Sequence, residues 1–414
     1  MPFKEVCRME QRVRMLADFD TGVFEVSELC ARYGVSRDVF YDWRRRRESG
    51  DVDWFMDRSH APHSCPHRTP AALIAQIVAV RRRFRHFGPK KVRAWLMREH
   101  PDRPWPAAST IGDILKQAGL VESQPRRRRR VPQPPGGVVA QEANDEWAID
   151  FKGWVRTRDG RRCDPLTLSD TVSRYLLEAR IGPISTEWVR PVLERTFREY
   201  GLPRAIRSDN GPPFGSDGAG GLTRLSVWWL KLGIAPHFIP PGAPQNNGRL
   251  ERLHRTMAEQ TTAQRAATPA ELQDRIDAFR RHYNQERPHE AIDQDQPAVR
   301  WQPSPRPMPD RLDDPVYGPD HDVRRVRQNG YIKWKGDGVF IGQALAGELV
   351  GVVQRDDKHH IVQFCDLALG AINPAGRFLR FAPIRHGLRK AQEPPNASKV
   401  STINPVQSVE DHPG

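Results

Sequence analysis

One stretch constrains this chain more than any other: Glu146-Trp147-Ala148-Ile149-Asp150-Phe151-Lys152-Gly153. Its residues alternate with the period of a strand that turns one face to a core. Trp147, Ile149 and Phe151 share one face; Ala148, Asp150 and Lys152 share the other. Aspartate is depleted from strands, and a half-buried carboxylate is costly unless it is paired or metal-bound. Asp150 therefore calls for a cation. Two later stretches carry further acids, Arg207-Ser208-Asp209-Asn210-Gly211 and Asn246-Asn247-Gly248-Arg249-Leu250-Glu251-Arg252. We expect Asp150, Asp209 and Glu251 to converge on one metal site. Each acid also has a plainer explanation. Asp209-Asn210-Gly211 is ordinary turn chemistry, Glu251 opens a helix where negative charge is favoured, and Asp150 has arginines available for a salt bridge.

The chain is too long for one ordinary core, with 414 residues, and predicts several domains. Its 65 Lys and Arg against 51 Asp and Glu leave a net charge of +14, which favours a polyanionic partner, nucleic acid first. Five scattered cysteines without a Cys-x-x-Cys pair argue against a disulfide framework and fit a reducing cytoplasm. No apolar run approaches the ~20 residues that span a bilayer, and Met1-Pro2-Phe3-Lys4-Glu5 lacks a signal-peptide core.

The first 56 residues predict an all-α unit. Val13, Leu16, Ala17 and Phe19 form a helical stripe. A short helix ends at Gly34, Ser36 caps the next, and that helix runs Arg37 to Arg47. It buries Val39, Phe40 and Trp43 and turns Arg37, Tyr41, Arg44 and Arg45 outward. Helix, glycine turn and capped basic helix are the helix-turn-helix pattern, whose second helix enters the major groove of DNA. The alternative is a plain helical hairpin with a solvated basic face. Residues 57–69 read as a linker. Its His60, His63, Cys65 and His67 raise zinc, but no second ligand pair follows at finger spacing, so a solvated linker is preferred.

Residues 70–124 read as a second, helix-turn-helix-like helical unit, or a purely structural bundle. Leu73, Ile74, Ile77, Val78 and Val80 lie on its first helix, Gly88 starts the next, and Ser109 caps the third. Residues 125–144 form a basic, proline-rich linker. Arg126, Arg127 and Arg128 belong to an arginine run that stays extended and suits a phosphate backbone. Residues 145–300 read β-β-β-α-β-α-α, a mixed-sheet α/β domain. A proline-rich linker spans 301–319. Short strands over 320–384 predict a small β-barrel, and 385–414 a disordered tail.

Taken together, the motifs Trp147-Ala148-Ile149-Asp150-Phe151-Lys152, Ser208-Asp209-Asn210-Gly211-Pro212-Pro213-Phe214, Pro244-Gln245-Asn246-Asn247-Gly248-Arg249-Leu250-Glu251-Arg252 and Tyr283-Asn284-Gln285-Glu286-Arg287-Pro288-His289 resemble the DDE transposase and retroviral-integrase superfamily. More narrowly they are similar to bacterial insertion-sequence transposases with an integrase catalytic core. The resemblance implies a ribonuclease-H-like core, DNA cleavage and strand transfer at the ends of a mobile element, and Mg²⁺ or Mn²⁺ as cofactor. Two ions about 4 Å apart would serve the attacking and leaving oxygens, with Asp150 bridging them. It also implies double-stranded DNA as partner, a homo-oligomer on that DNA, no membrane, and a bacterial, nucleoid-associated setting. The Asp209-to-Glu251 spacing exceeds the family's shortest, the excess lying in Gly215-Ser216-Asp217-Gly218-Ala219-Gly220-Gly221. We expect a flexible insertion there, with Glu259 as a substitute for Glu251. Asn247 and Arg255 lie on the helical face of Glu251 and are DNA-contact candidates; Arg287 and His289 are read the same way. Asp170 reads as a helix or turn cap. The alternative function is a catalytically silent or domesticated helix-turn-helix regulator, which has no need of the three acids.

Overall fold

The computed structural model describes residues 7–57, 68–121, 140–239, 248–356 and 358–381. The chain divides into two compact units, one up to Pro70 and one from Ala71 onward. Arg126 to Arg128, Asn247, the histidine-rich stretch and the tail beyond Phe381 lie outside the described residues.

In the first unit, helices α1 (Arg8–Asp20), α2 (Val26–Tyr33) and α3 (Arg37–Glu48) enclose Met15, Leu16, Leu29, Cys30 and Phe40. Gly34 ends α2 with φ 66°, a left-handed conformation that glycine adopts without steric cost. The Ser36 hydroxyl accepts the Val39 N–H at 3.4 Å and caps α3. The expected stripe is rotated. Val13, Ala17 and Val39 are exposed and Met15 is buried instead. Arg12, one position earlier, lies with its guanidinium 4.9 Å from the Trp43 ring centre.

The second unit begins with α4 (Ala71–Arg83), α5 (Pro89–Glu99) and α6 (Ala108–Gln117), packed around Ile77, Phe87, Val92, Leu96, Ile111 and Leu115. Ser109 is not the cap of α6. Ala107 holds that place, one turn's edge earlier, so Ser109 is already helical.

The α/β domain contains β1 (Glu146–Phe151), β2 (Val155–Arg156), β3 (Arg162–Cys163), β4 (Pro165–Asp170), β5 (Leu176–Ile181), α7 (Thr186–Tyr200), β6 (Ala205–Ser208), α8 (Arg224–Lys231), β7 (Ala235–Phe238), α9 (Gly248–Thr261), α10 (Pro269–Gln285) and α11 (Pro297–Arg300). Its sheet has the order β5-β4-β1-β6-β7. The β5, β4 and β1 pairings are antiparallel, and β1–β6 and β6–β7 are parallel. Trp147, Ile149, Leu166 and Leu168 face α7 and α8. Ala148, Leu176 and Ala179 face α9 and α10 through Leu250, Leu253, Met257 and Ile276. Alternation along each strand thus supplies both faces of the sheet with apolar contact. Helix α9 stops at Thr261, short of the expected run past Gln264.

The final strands are β8 (His321–Arg325), β9 (Tyr331–Trp334), β10 (Asp337–Phe340), β11 (Leu349–Gln354), β12 (His360–Phe364), β13 (Leu367–Ile372) and β14 (Phe378–Arg380). They form a five-stranded sheet, β14-β13-β12-β11-β8, and a separate β9–β10 hairpin that share one core. Lys335 and Gly336, with φ of 47° and 97°, make the hairpin's two-residue turn.

Two connections differ from expectation. The glycine-rich 215–221 stretch is not a loose insertion: Ala219 and Leu222 enter the core of the C-terminal sheet beside Leu345 and Leu369, and Arg380 donates to the Asp217 carbonyl. Gly220 and Gly221, at φ 62° and 73°, permit the tight path. The 301–319 segment also packs. Trp301 stacks on Tyr175 with ring centres 4.2 Å apart, and Arg306 donates to the carbonyls of Pro203, Leu232 and Gly233 at 2.8, 3.0 and 2.9 Å.

Candidate active site

The β1–β6 register pairs Glu146 with Ala205, Trp147 with Ile206 and Ala148 with Arg207. Asp150 lies two residues beyond Ala148 on β1 and shares its face, which α9 covers; Asp209 lies two residues beyond Arg207, at the same end of the neighbouring parallel strand. Asp150 is half-buried, as the strand reading required. Asp209 sits just past the end of β6 and is open to solvent on one side. The Gly211 N–H donates to Asp209 Oδ1 at 3.3 Å, and the Asn210 amide donates to the Ile239 carbonyl at 2.6 Å. The turn is anchored by Phe214, buried against Phe151 and Trp229 with ring centres 5.9 and 6.3 Å away. Desolvation raises the Asp209 carboxyl above its ordinary pKa, and the Gly211 N–H offsets this only in part.

Helix α9 presents Leu250, Leu253 and Met257 to the sheet and leaves Glu251 exposed in its first turn. His254, one turn later, was not anticipated from sequence. Its Nε2 lies 2.8 Å from the Thr167 hydroxyl, and that hydroxyl is 3.2 Å from the Asp150 carbonyl, to which it donates. Thr167 is the cross-strand partner of Asp150. His254 then supplies its Nε2–H to Thr167. Burial, then the nearby Lys152, pushes His254 down to about 4, so its ring is neutral near pH 7. Burial likewise lowers Lys152. Residues three apart on a helix have Cβ atoms ~5–6 Å apart, so Glu251 stands one turn from a side chain that touches the Asp150 strand pair. Among the described residues, however, no three His, Cys, Asp or Glu groups lie close enough to hold one ion. Asp150 and Asp209 lie at the same end of neighbouring strands, and Glu251 is exposed on α9.

Glu259 is not placed as a substitute. It lies two turns further along α9, 3.9 Å from His86. Asp170 is a turn residue, its oxygens accepting the N–H groups of Asn144, Val172 and Ser173 at 2.8, 3.1 and 2.6 Å. Arg255 is exposed on α9. A second network was not anticipated: Glu146 is buried on β1 with its oxygens 2.9 Å from His237 Nδ1 and 3.3 Å from Arg207 Nη1. Its signal in the sequence was its parity with Asp150. In the first unit, Arg37, Tyr41 and Arg45 are exposed on α3. Arg44 is engaged, 2.7 Å from Glu48 and above the Phe19 ring.

Residues 140–244 match one integrase core domain model and residues 232–297 a second. The insertion element IS476 39.2 kDa protein of Xanthomonas euvesicatoria is 29% identical over 275 residues, spanning 65% of this chain and 70% of its own length. The insertion element IS407 31.7 kDa protein of Burkholderia multivorans is 28% identical over 232 residues, spanning 55% of this chain and 79% of its own. The catalytic core domain of BIV integrase aligns over 38% of this chain and 92% of its own at 20% identity, with a TM-score of 0.29. Across residues 140–297, the strands and helices that carry Asp150, Asp209 and Glu251, this chain carries the integrase core domain of the DDE transposase and integrase superfamily.

Proposed function

We propose that this transposase cuts DNA at the ends of a mobile element and joins the freed ends to a target, with Asp150, Asp209 and Glu251 as its metal-binding carboxylates. What supports the reading is that Asp150, near the end of β1, and Asp209, just past the end of β6, lie at the same end of two neighbouring parallel strands, with α9, which bears Glu251, packed on that sheet. The donor set fits a divalent ion. Carboxylate oxygens are hard ligands suited to Mg²⁺ or Mn²⁺, and Asp209 is desolvated with no ion pair among the described residues. Bound there, a pair of such ions would neutralise the scissile phosphate and activate the attacking oxygen.

The chain's own residues do the rest. Asp150 is fixed by a central strand and by the Thr167–His254 contact. Phe214 holds the Asp209 turn against the core. Glu251 completes the ligand set by turning inward from the first turn of α9. Helix α3 reads the element end through Arg37, Tyr41 and Arg45, the arginine run 126–128 and Asn247 and Arg255 contact the backbone, and a homo-oligomer brings two ends together. The open position of Glu251 favours one rival, a catalytically silent DNA-binding regulator. One assay separates the two. With Mg²⁺ and DNA carrying the element's ends, the protein nicks the ends, and Asp150→Asn or Glu251→Gln abolishes nicking while leaving DNA affinity unchanged. Nicking that survives both substitutions overturns the assignment, and a wild-type protein that binds without nicking is the regulator.

A further inference from the structure

After α10, around Tyr283, several buried polar atoms lack a hydrogen-bond partner among the described residues. Arg287 is only 8% exposed, and its Nη1 is one of them. Arg174 Nε and the hydroxyl of Thr171, itself 3% exposed, are two more. His289 is a neutral ring held down by burial that donates to the Tyr283 backbone, which leaves its Nε2 an acceptor. The frame is rigid. Asn284 accepts the Leu176 N–H at 2.8 Å and donates to the Leu176 carbonyl at 3.0 Å. His289 stands edge-on to Tyr283 with ring centres 4.5 Å apart, and Arg249 of α9 donates to the Thr171 carbonyl at 3.1 Å.

The neighbouring acids are committed elsewhere. Asp170 is filled by backbone N–H groups and the Ser173 hydroxyl. Glu146 serves His237 and Arg207. Glu290 holds Lys90 at 2.6 Å, and Glu259, whose charge reaches Arg287, lies beside His86 with no ion pair to Arg287 among the described residues. An unpaired buried guanidinium costs several kcal/mol, and unmet buried donors add to that cost. Such a cluster persists where an anion with several acceptor oxygens completes it. A planar guanidinium fork with a hydroxyl matches the oxygens of a phosphodiester.

We propose that Arg287, with Arg174 and Thr171, binds one backbone phosphate of the DNA held against α9. The site rests on the reading of this chain as a DNA-cutting enzyme and deepens it: it anchors the duplex beside the catalytic carboxylates without belonging to them. Burial, and after it the charge of Arg287, pushes the neighbouring Lys91 down to about 7, with Glu290 opposing.

The test uses full-length protein carrying Asp150→Asn, in EDTA, with a short random-sequence duplex, so that neither chemistry nor metal contributes. The dependence of log Kd on log salt is measured for this parent and with Arg287→Met added. We expect the slope to fall by about 0.9, the share of one phosphate contact, and the melting temperature of the free protein to hold or rise. Thr171→Val, a near-isosteric change, weakens binding several-fold at low salt. An unchanged slope in a folded Arg287→Met protein overturns the phosphate site, as does a sharp fall in its melting temperature without DNA, which would reveal a structural partner. If Arg287→Met does not fold, unchanged affinity in Thr171→Val overturns the site alone. A parent that binds no DNA at all overturns the functional reading itself.

Discussion

The Thr167 hydroxyl and His254 Nε2 lie 2.8 Å apart and tie α9 to the strand beside Asp150. This contact needs a ring that carries Nε2–H, and burial keeps that ring neutral. Burial holds His254 down at about 4, against ~6.5 for an unfolded histidine. Between those values the unfolded chain binds more protons than the folded one. Stability from this group is therefore complete above pH ~6.5 and declines as pH falls toward 4, by at most about 2 kcal/mol at pH 5. We expect His254→Gln to lose less stability than wild type between pH 7.5 and 5 in urea unfolding. Equal losses would show that His254 is not the buried neutral group described.

On α3, neighbouring arginines differ in what they are free to do. Arg44 is held by Glu48 at 2.7 Å and covers Phe19, whereas Arg45 is exposed. Arg45→Ala should weaken binding of element-end DNA by about 1–3 kcal/mol if it reads a base. Arg44→Ala should act mainly on stability. Fluorescence anisotropy with end and random duplexes, alongside melting curves, separates the two effects. A larger affinity loss from Arg44 would reverse the face of α3 that meets DNA.

What the sequence revealed and what it hid follow from the range of the forces involved. Trp147, Ile149 and Phe151 against Ala148 and Asp150 declared a strand because a strand's period is local. Helix α7 is the helix expected between the third and fourth strands, and Gly201 ends it. Strand β8, His321–Arg325, is polar and takes its identity from pairing with β11. Ser109 was misread because a good capping residue was displaced by the backbone geometry of Ala107. His254 was invisible because its partner, Thr167, is 87 positions away. Asp150 and Asp209 were legible as acids, but their placement at the same end of neighbouring strands is a property of the sheet alone.

Leu222 is 1% exposed and belongs to the core of the C-terminal sheet, not to the α/β core it precedes in sequence. Truncating it leaves a cavity between the 215–221 stretch and Leu345 and Leu369. Leu222→Ala should cost about 2–5 kcal/mol and expose the C-terminal sheet to limited proteolysis before the α/β domain. Simultaneous digestion of both, at wild-type stability, would mean that Leu222 does not join them.

Asp209 offers a test of the metal that does not depend on catalysis. Its carboxyl is desolvated and raised in pKa, so an ion that arrives there relieves a cost already present in the folded chain. Ligation to the folded state alone stabilises it by RT ln(1 + [L]/Kd), about 2.7 kcal/mol at a hundredfold excess over Kd. Mn²⁺ should raise the melting temperature of the wild-type protein. Asp209→Asn removes the raised carboxylate, so it should melt at or above the wild-type temperature in EDTA and gain little from Mn²⁺. Glu251→Gln should retain part of the gain, because Glu251 is exposed on α9 while Asp150 and Asp209 lie at the same end of neighbouring strands. A full Mn²⁺ shift in Asp209→Asn would place the ion elsewhere.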